Sequence, residues 1–207
     1  MDKYIQPLEE GKFYHIYNQG NNHEKIFYND KNYIYFMQKL DRYLSDYLEI
    51  YAFCLMPNHF HLLVRIKTID ELDNDAVATV KLSKSSRLGK FSSLPDLISE
   101  QFRRFFMSYS KSINKQNDRS GSLFRKYFKR KEITSLTYLQ NTVVYIHRNP
   151  LHHGFEEDFR DYRWSSYYRM LEDKITKLKK REVLEWFEDK ENYRYTHLAD
   201  IDDDIEI

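Results

Sequence analysis

The run Ile50-Tyr-Ala-Phe-Cys-Leu-Met-Pro-Asn-His-Phe-His-Leu-Leu-Val-Arg-Ile66 decides how this chain is read. Apolar, β-prone segments flank Pro57-Asn58, and proline followed by asparagine suits the centre of a tight turn. The stretch therefore reads as a hairpin with His59 and His61 near the start of its second strand. Strand side chains alternate between faces, so the histidines point one way while Phe60 points into the core. Two imidazoles side by side on a rigid strand can chelate a divalent metal and leave other coordination positions open. Taken alone, a His-x-His is more often a pair of exposed histidines at a sheet edge. A second constellation gives it meaning.

That constellation is Tyr145-Ile-His-Arg-Asn-Pro150. From Ser135 to Asn149, apolar residues at Leu136, Leu139, Val143 and Ile146 mark a helical stripe. Thr134 or Ser135 is the expected N-cap, and Pro150 is expected to end the helix at Asn149. Tyr145 and Asn149, four apart, project from one side, away from the stripe. A phenol and an amide oxygen so placed can meet a metal held by the two histidines. Cleavage of a phosphodiester by tyrosine needs such a set: the metal polarises the phosphate, and the phenolate attacks it to give a covalent phosphotyrosine. The bland alternative is that Tyr145, one of 18 tyrosines, only packs its ring under a loop.

Composition bounds the rest. A chain of 207 residues can bury a real core. The single cysteine, Cys54, excludes an internal disulfide framework and reads as a buried strand residue. No apolar stretch approaches the roughly 18 residues of a membrane span. No secretory segment follows Met1-Asp-Lys-Tyr4, so a cytoplasmic protein is expected. The net charge of +1 hides its distribution: between Gln101 and Lys131, ten Lys or Arg residues stand against Asp118 alone. The end, Asp200 to Ile207, is acidic. Such asymmetry suits a cationic face for an anionic partner and a solvated tail.

Along the chain, a strand is expected over Lys12 to Gln19 and a helix over Lys31 to Asp46, capped by Asn29 or Asp30. The hairpin follows. Residues 68–95, rich in Ser, Thr, Asp and Lys, read as a loop. A long helix from Asp96 to Lys115 sets Phe102, Phe105, Phe106 and Tyr109 among basic residues. A strand over Lys126 to Ile133 precedes the tyrosine-bearing helix. The class is α+β, with helices on one face of a mainly antiparallel sheet. Beyond residue 170, Val183, Leu184, Trp186 and Phe187 suggest a short docking helix.

These motifs resemble a known family, the single-tyrosine HUH transposases, and specifically the REP-associated tyrosine transposase branch. The resemblance starts at Tyr14-His-Ile-Tyr-Asn-Gln-Gly-Asn-Asn22 with Ile26-Phe27. It continues through Met56-Pro-Asn-His-Phe-His-Leu-Leu63 and Gly121-Ser-Leu-Phe-Arg125, and closes with Tyr145 to Pro150 and Tyr162-Arg-Trp-Ser-Ser-Tyr167. It implies a ferredoxin- or RRM-like sandwich over residues 1–170, from whose compact pattern residues 68–95 depart as an insertion loop, with residues 171–207 as a C-terminal extension. It further implies Tyr145 as nucleophile, His59 and His61 as ligands of Mg2+ or Mn2+, and Asn149 in the place of a third ligand. The implied partner is single-stranded DNA beside a hairpin, a repetitive palindromic element of the prokaryotic nucleoid. The protein would act as monomer or homodimer.

Arg103 and Arg104 on the aromatic-rich helix, with Arg125, Lys126, Lys129 and Arg130, are the candidate DNA contacts. Aromatics at helical spacing are more often core, so Gly121 to Lys126 is the better contact segment. His152 and His153 are adjacent and diverge in direction, which reads as surface or DNA-facing residues, not ligands. His15 receives no role. Two readings compete with strand transfer: a domesticated, non-catalytic hairpin-binding protein, and a metal-dependent nuclease that uses water while Tyr145 is structural.

Overall fold

The structure is a computed structural model that describes residues 6–74, 76–78 and 93–199. Its first part runs β1 (Phe13–Gln19), α1 (Asp30–Leu44), β2 (Leu48–Met56), β3 (His59–Ile66), α2 (Leu94–Gln116), β4 (Lys129–Ile133) and α3 (Leu136–His152). The strands form one sheet in the order β2-β3-β1-β4, and every neighbouring pair is antiparallel. The expected α+β sandwich is what forms.

Alternation along the strands creates the first layer. Phe60, Leu62 and Val64 of β3 share a face with Tyr14 and Ile16 of β1 and with Phe53 and Leu55 of β2. Against it lie Phe36, Leu40 and Leu44 of α1, and Phe102, Phe105 and Tyr109 of α2, all buried. Asn29 caps α1 by accepting from the Asn32 amide, and Ser93 does the same for α2 at Asp96. Gly20 closes the turn after β1: a Cβ there would stand 2.0 Å from the Glu24 carbonyl oxygen, a contact only glycine avoids.

The other face of the sheet is covered too, which corrects the expectation of helices on one face. Ala52, Cys54, Met56 and Leu63 pack against Val143 and Ile146 of α3. Outside α3 lie α4 (Tyr167–Leu171), α5 (Lys180–Trp186) and α6 (Lys190–Leu198), which contribute Met170, Val183 and Tyr193, joined by Phe187 at the C-cap of α5. The segment after α3 also protects the β2 edge: Leu55 N–H donates to Trp164 O at 2.9 Å, and Lys179 N–H to Ile50 O at 3.0 Å. Burying both faces places α3 between the sheet and a second helical layer.

Two further expectations change. α3 passes Pro150 and ends at His152, because the amides beyond the proline still find helical carbonyls, His153 N–H reaching Asn149 O at 3.0 Å. Proline removes one bond without stopping the last turn. Leu136 is exposed rather than part of the buried stripe. Of the expected insertion loop, residues 69–71 form a short 3-10 turn after Thr68; residues 79–92 and the acidic tail lie outside the described residues.

Candidate active site

β3 and α3 bring His59, His61, Tyr145 and Asn149 to one place. The register sets His61 between Cys54 of β2 and Tyr17 of β1, and His59 between Met56 and Gln19. Both histidines are buried on the face opposite Phe60, as alternation requires. Their rings meet edge to face, with centroids 5.3 Å apart. The Tyr145 ring stands 5.6 Å from the His61 ring, also edge to face. Tyr145 and Asn149 thus point at the sheet. Asn149 is fully buried, and its amide N–H2 donates to the Tyr145 carbonyl at 2.9 Å.

Two acceptors in this cluster have no partner. His59 Nδ1 lies 2.6 Å from Asn58 Oδ1, an oxygen that can only accept, so the ring proton sits on Nδ1 and the lone pair on Nε2. That Nε2 and Asn149 Oδ1 are both buried and unpartnered. Buried polar atoms are rarely left so, and bare lone pairs suit a cation. Among the described residues, no group of three His, Cys, Asp or Glu side chains could hold a metal ion. A cation at this cluster would meet two imidazoles and an amide, with coordination positions left for water and substrate.

The electrostatics favour neutral ligands. Burial pushes the His59 pKa down to about 4; nearby His153 adds to the effect and Asn149 opposes it. Burial, then His15, drives His61 well below its ordinary range. Both imidazoles offer lone pairs at neutral pH. Burial raises the pKa of Tyr145, with Asn149 partly offsetting it, so its resting hydroxyl is protonated.

Three residues join this centre that their motifs did not assign to it. The His15 ring stacks on His61, with Nε2 at 2.8 Å from His61 Nδ1. Tyr17 packs against both rings, 5.4 Å from His61 and 4.8 Å from His15 between centroids. His153 packs edge to face on His59 at 4.6 Å, so it lines the site. The signal that could have found His15 and Tyr17 is strand parity: Tyr14 and Ile16 are buried in the first core layer, which leaves 15 and 17 on the opposite face.

The basic candidates divide. Arg103, Arg125, Lys126 and Arg130 line one groove of about 570 Å3 over an aromatic floor that includes Phe106 and Phe128. Arg103 and Arg104 both pair with Glu100, one residue outside the cationic run. Arg104 is not on the groove lining. Lys129 alternates with Arg130 on β4 and, opposite Tyr17, faces the histidine side. Gly121 takes φ +84 with open space around it, so turn geometry accounts for the glycine.

A four-stranded antiparallel sheet with a His-x-His strand under a Tyr-x-x-x-Asn helix is the arrangement of the single-tyrosine HUH class that the sequence resembles. Within that class, the known proteins to which this chain is similar are REP-associated tyrosine transposases. A REP-associated tyrosine transposase of Haemophilus influenzae is 27% identical over 127 residues, which cover 61% of this chain and 63% of that protein. The chain thus spans less than two thirds of that relative's length. A solved structure of a REP-associated tyrosine transposase bound to a REP hairpin shares the fold, with a TM-score of 0.59 and 16% identity over 83% of this chain and 86% of that one. No family model matches the chain. Among the described residues, no helix is long and apolar enough to cross a membrane.

Proposed function

We propose that this protein is a metal-dependent strand transferase of the transposase type, cutting and rejoining single-stranded DNA beside a hairpin through Tyr145. One observation carries the reading: two elements distant in sequence bring a phenol, two neutral imidazoles and an amide together, with buried lone pairs left unpartnered. The transposase relative and the hairpin-bound fold neighbour support the substrate class. Action on nucleoid DNA, in the cytoplasm, follows from that substrate.

His59, His61 and Asn149 would hold Mg2+ or Mn2+, which when bound supplies positive charge at the scissile phosphate. The chain's own groups do the rest. Burial keeps the Tyr145 hydroxyl protonated at rest, so attack is coupled to loss of that proton. The tyrosine oxygen forms a bond to phosphorus as the bond to the 3′ oxygen breaks, and that oxygen leaves as a hydroxyl. The 5′-phosphotyrosine retains the bond energy, so a 3′-hydroxyl can reverse the step and join a strand without ATP. The basic groove supplies counter-charge for the backbone, and the held helix positions the nucleophile.

The test is incubation with labelled single-stranded hairpins from the DNA flanking the gene, with Mg2+ or Mn2+. A denaturation-resistant adduct is expected, and Tyr145→Phe should abolish it while DNA affinity persists. Binding without cleavage would identify a hairpin-binding protein; metal-dependent cleavage without an adduct would identify a nuclease using water. An adduct of normal yield in Tyr145→Phe would move the role to another tyrosine. Tyr17, stacked on His61, is nearest to hand, whereas Tyr109 is fully buried with its hydroxyl bonded to Ile26 O at 2.7 Å.

A further inference from the structure

We propose that His15 is a positioning residue for the metal ligand His61, holding it as the Nδ1–H tautomer so that its Nε2 lone pair faces the metal. The proposal rests on the reading of His59, His61 and Asn149 as ligands.

His15 projects from β1 onto the histidine face and is almost completely buried. Its Nε2 lies 2.8 Å from His61 Nδ1. Two neutral imidazoles in such a contact share one proton, so two arrangements exist. If His15 Nε2 carries it, His61 is protonated at Nε2 and has no lone pair left for a metal: Nδ1 is accepting and Nε2 is capped. If His61 Nδ1 carries it, His15 accepts and His61 Nε2 is bare. Only the second arrangement makes His61 a ligand.

His59 shows the same logic with a different partner. The Asn58 oxygen accepts from its Nδ1 and leaves its Nε2 buried and unpartnered. Each histidine of the motif thus has its Nδ1 held from one side and its Nε2 left for the centre. Ligating histidines commonly give their second nitrogen to such an acceptor, which orients the ring and raises its basicity.

Packing alone does not account for His15. Its Nδ1 is buried without a hydrogen-bond partner, and an apolar side chain in the same space would carry no such penalty. The histidine costs stability where it stands, while its one bond falls on a ligand.

The experiment is calorimetric titration of the full chain with Mn2+, without DNA, for wild type, His15→Leu and His15→Gln. His15→Leu should weaken Mn2+ binding by roughly 10- to 100-fold, the range for an acceptor behind a ligating histidine. His15→Gln, whose amide oxygen can reach the place of Nε2, should restore binding to within about 3-fold. Nitrogen chemical shifts of the metal-free wild type should place the His61 proton on Nδ1, a signature that packing does not set. Unchanged affinity in His15→Leu overturns the proposal, as does equal weakening in both variants or a His61 proton found on Nε2. Wild type that binds no Mn2+ overturns the metal site itself, and the proposal with it; loss of the effect in His15→Leu alone leaves the site standing.

Discussion

Two histidine pairs flank the Tyr145 helix, and both make a ring-nitrogen contact of 2.8 Å. In front, His15 and His61 lie on the sheet, and His15 Nδ1 has no partner. Behind, His147 of α3 meets His197 of α6, and there every nitrogen is engaged. His197 Nδ1 donates to the Tyr193 carbonyl at 2.7 Å, so its Nε2 must accept from His147 Nδ1–H. His147 Nε2 then accepts from Ser166 Oγ at 2.6 Å, and Ser166 Oγ accepts from the Phe53 amide at 2.8 Å. The rear chain ties α3, α6 and β2 into one closed network. It fixes the helix by its back while Tyr145 and Asn149 look forward. The same contact is a clamp where it is saturated and part of a site where it is not.

The largest effect separating the pairs lies in front. His61→Ala should eliminate cleavage and, combined with His59→Ala, abolish specific Mn2+ binding in calorimetry. Asn149→Ala should weaken binding less, since water can replace a neutral ligand while the imidazoles still chelate. Equal Mn2+ affinity with and without both histidines would make the His-x-His an ordinary strand feature.

Behind, the loss should appear in stability. His147→Ala removes a fully buried ring and strands the partners Ser166 and His197. A cost of about 3 kcal/mol is expected, read from urea midpoints. The folded fraction should bind Mn2+ with near wild-type affinity. If His147→Ala instead lost metal and kept its midpoint, the roles of the two pairs would be reversed.

How much of this contrast was legible in the sequence follows from the range of each signal. Alternation around Phe60 and the four-residue spacing of Tyr145 and Asn149 are local, and they located both halves of the candidate site. Caps at Asn29 and Ser135 were equally local. The His15–His61 contact joins residues 46 apart, and His147–His197 joins residues 50 apart. Neither has a periodic trace. α6 was missed because its sequence, Lys-Glu-Asn-Tyr-Arg-Tyr-Thr-His-Leu, is mostly polar and buries only Tyr193 and His197. The helix past Pro150 was missed because a local rule about proline gave way to packing on both sides of α3.

pH offers a smaller, graded test of the rear pair. Burial lowers the His197 pKa from 6.5 to about 3, its bond to Tyr193 O partly opposing. Between those values the unfolded chain binds a proton that the folded one refuses. Stability from this group is therefore complete above about pH 6.5 and falls as pH drops towards 3, by about 1.4 kcal/mol per pH unit. Urea midpoints from pH 7 to 4 should fall less steeply in His197→Leu than in wild type. Parallel slopes would mean that His197 is charged, or open to water, in the folded protein.

The smallest effects expected concern the cations, which the sheet divides as it divides the histidine pairs from the first core. Arg125 and Lys126 belong to the groove on the α2 side, with Arg130, whose guanidinium lies 4.1 Å from the Phe128 ring centroid. Lys129 faces the histidines. Each phosphate contact releases counterions, so Arg125→Ala with Lys126→Ala should weaken hairpin binding and lower the salt slope by about 2. Lys129→Ala should lower that slope by at most about 1, and should slow adduct formation more than it weakens binding, because it stands beside the site. Filter binding across salt concentrations gives the slopes, and single-turnover adduct formation gives the rate. An unchanged slope in the double variant would remove the groove from the DNA path. Should Lys129→Ala then carry the whole salt effect, the strand must run along the histidine face alone.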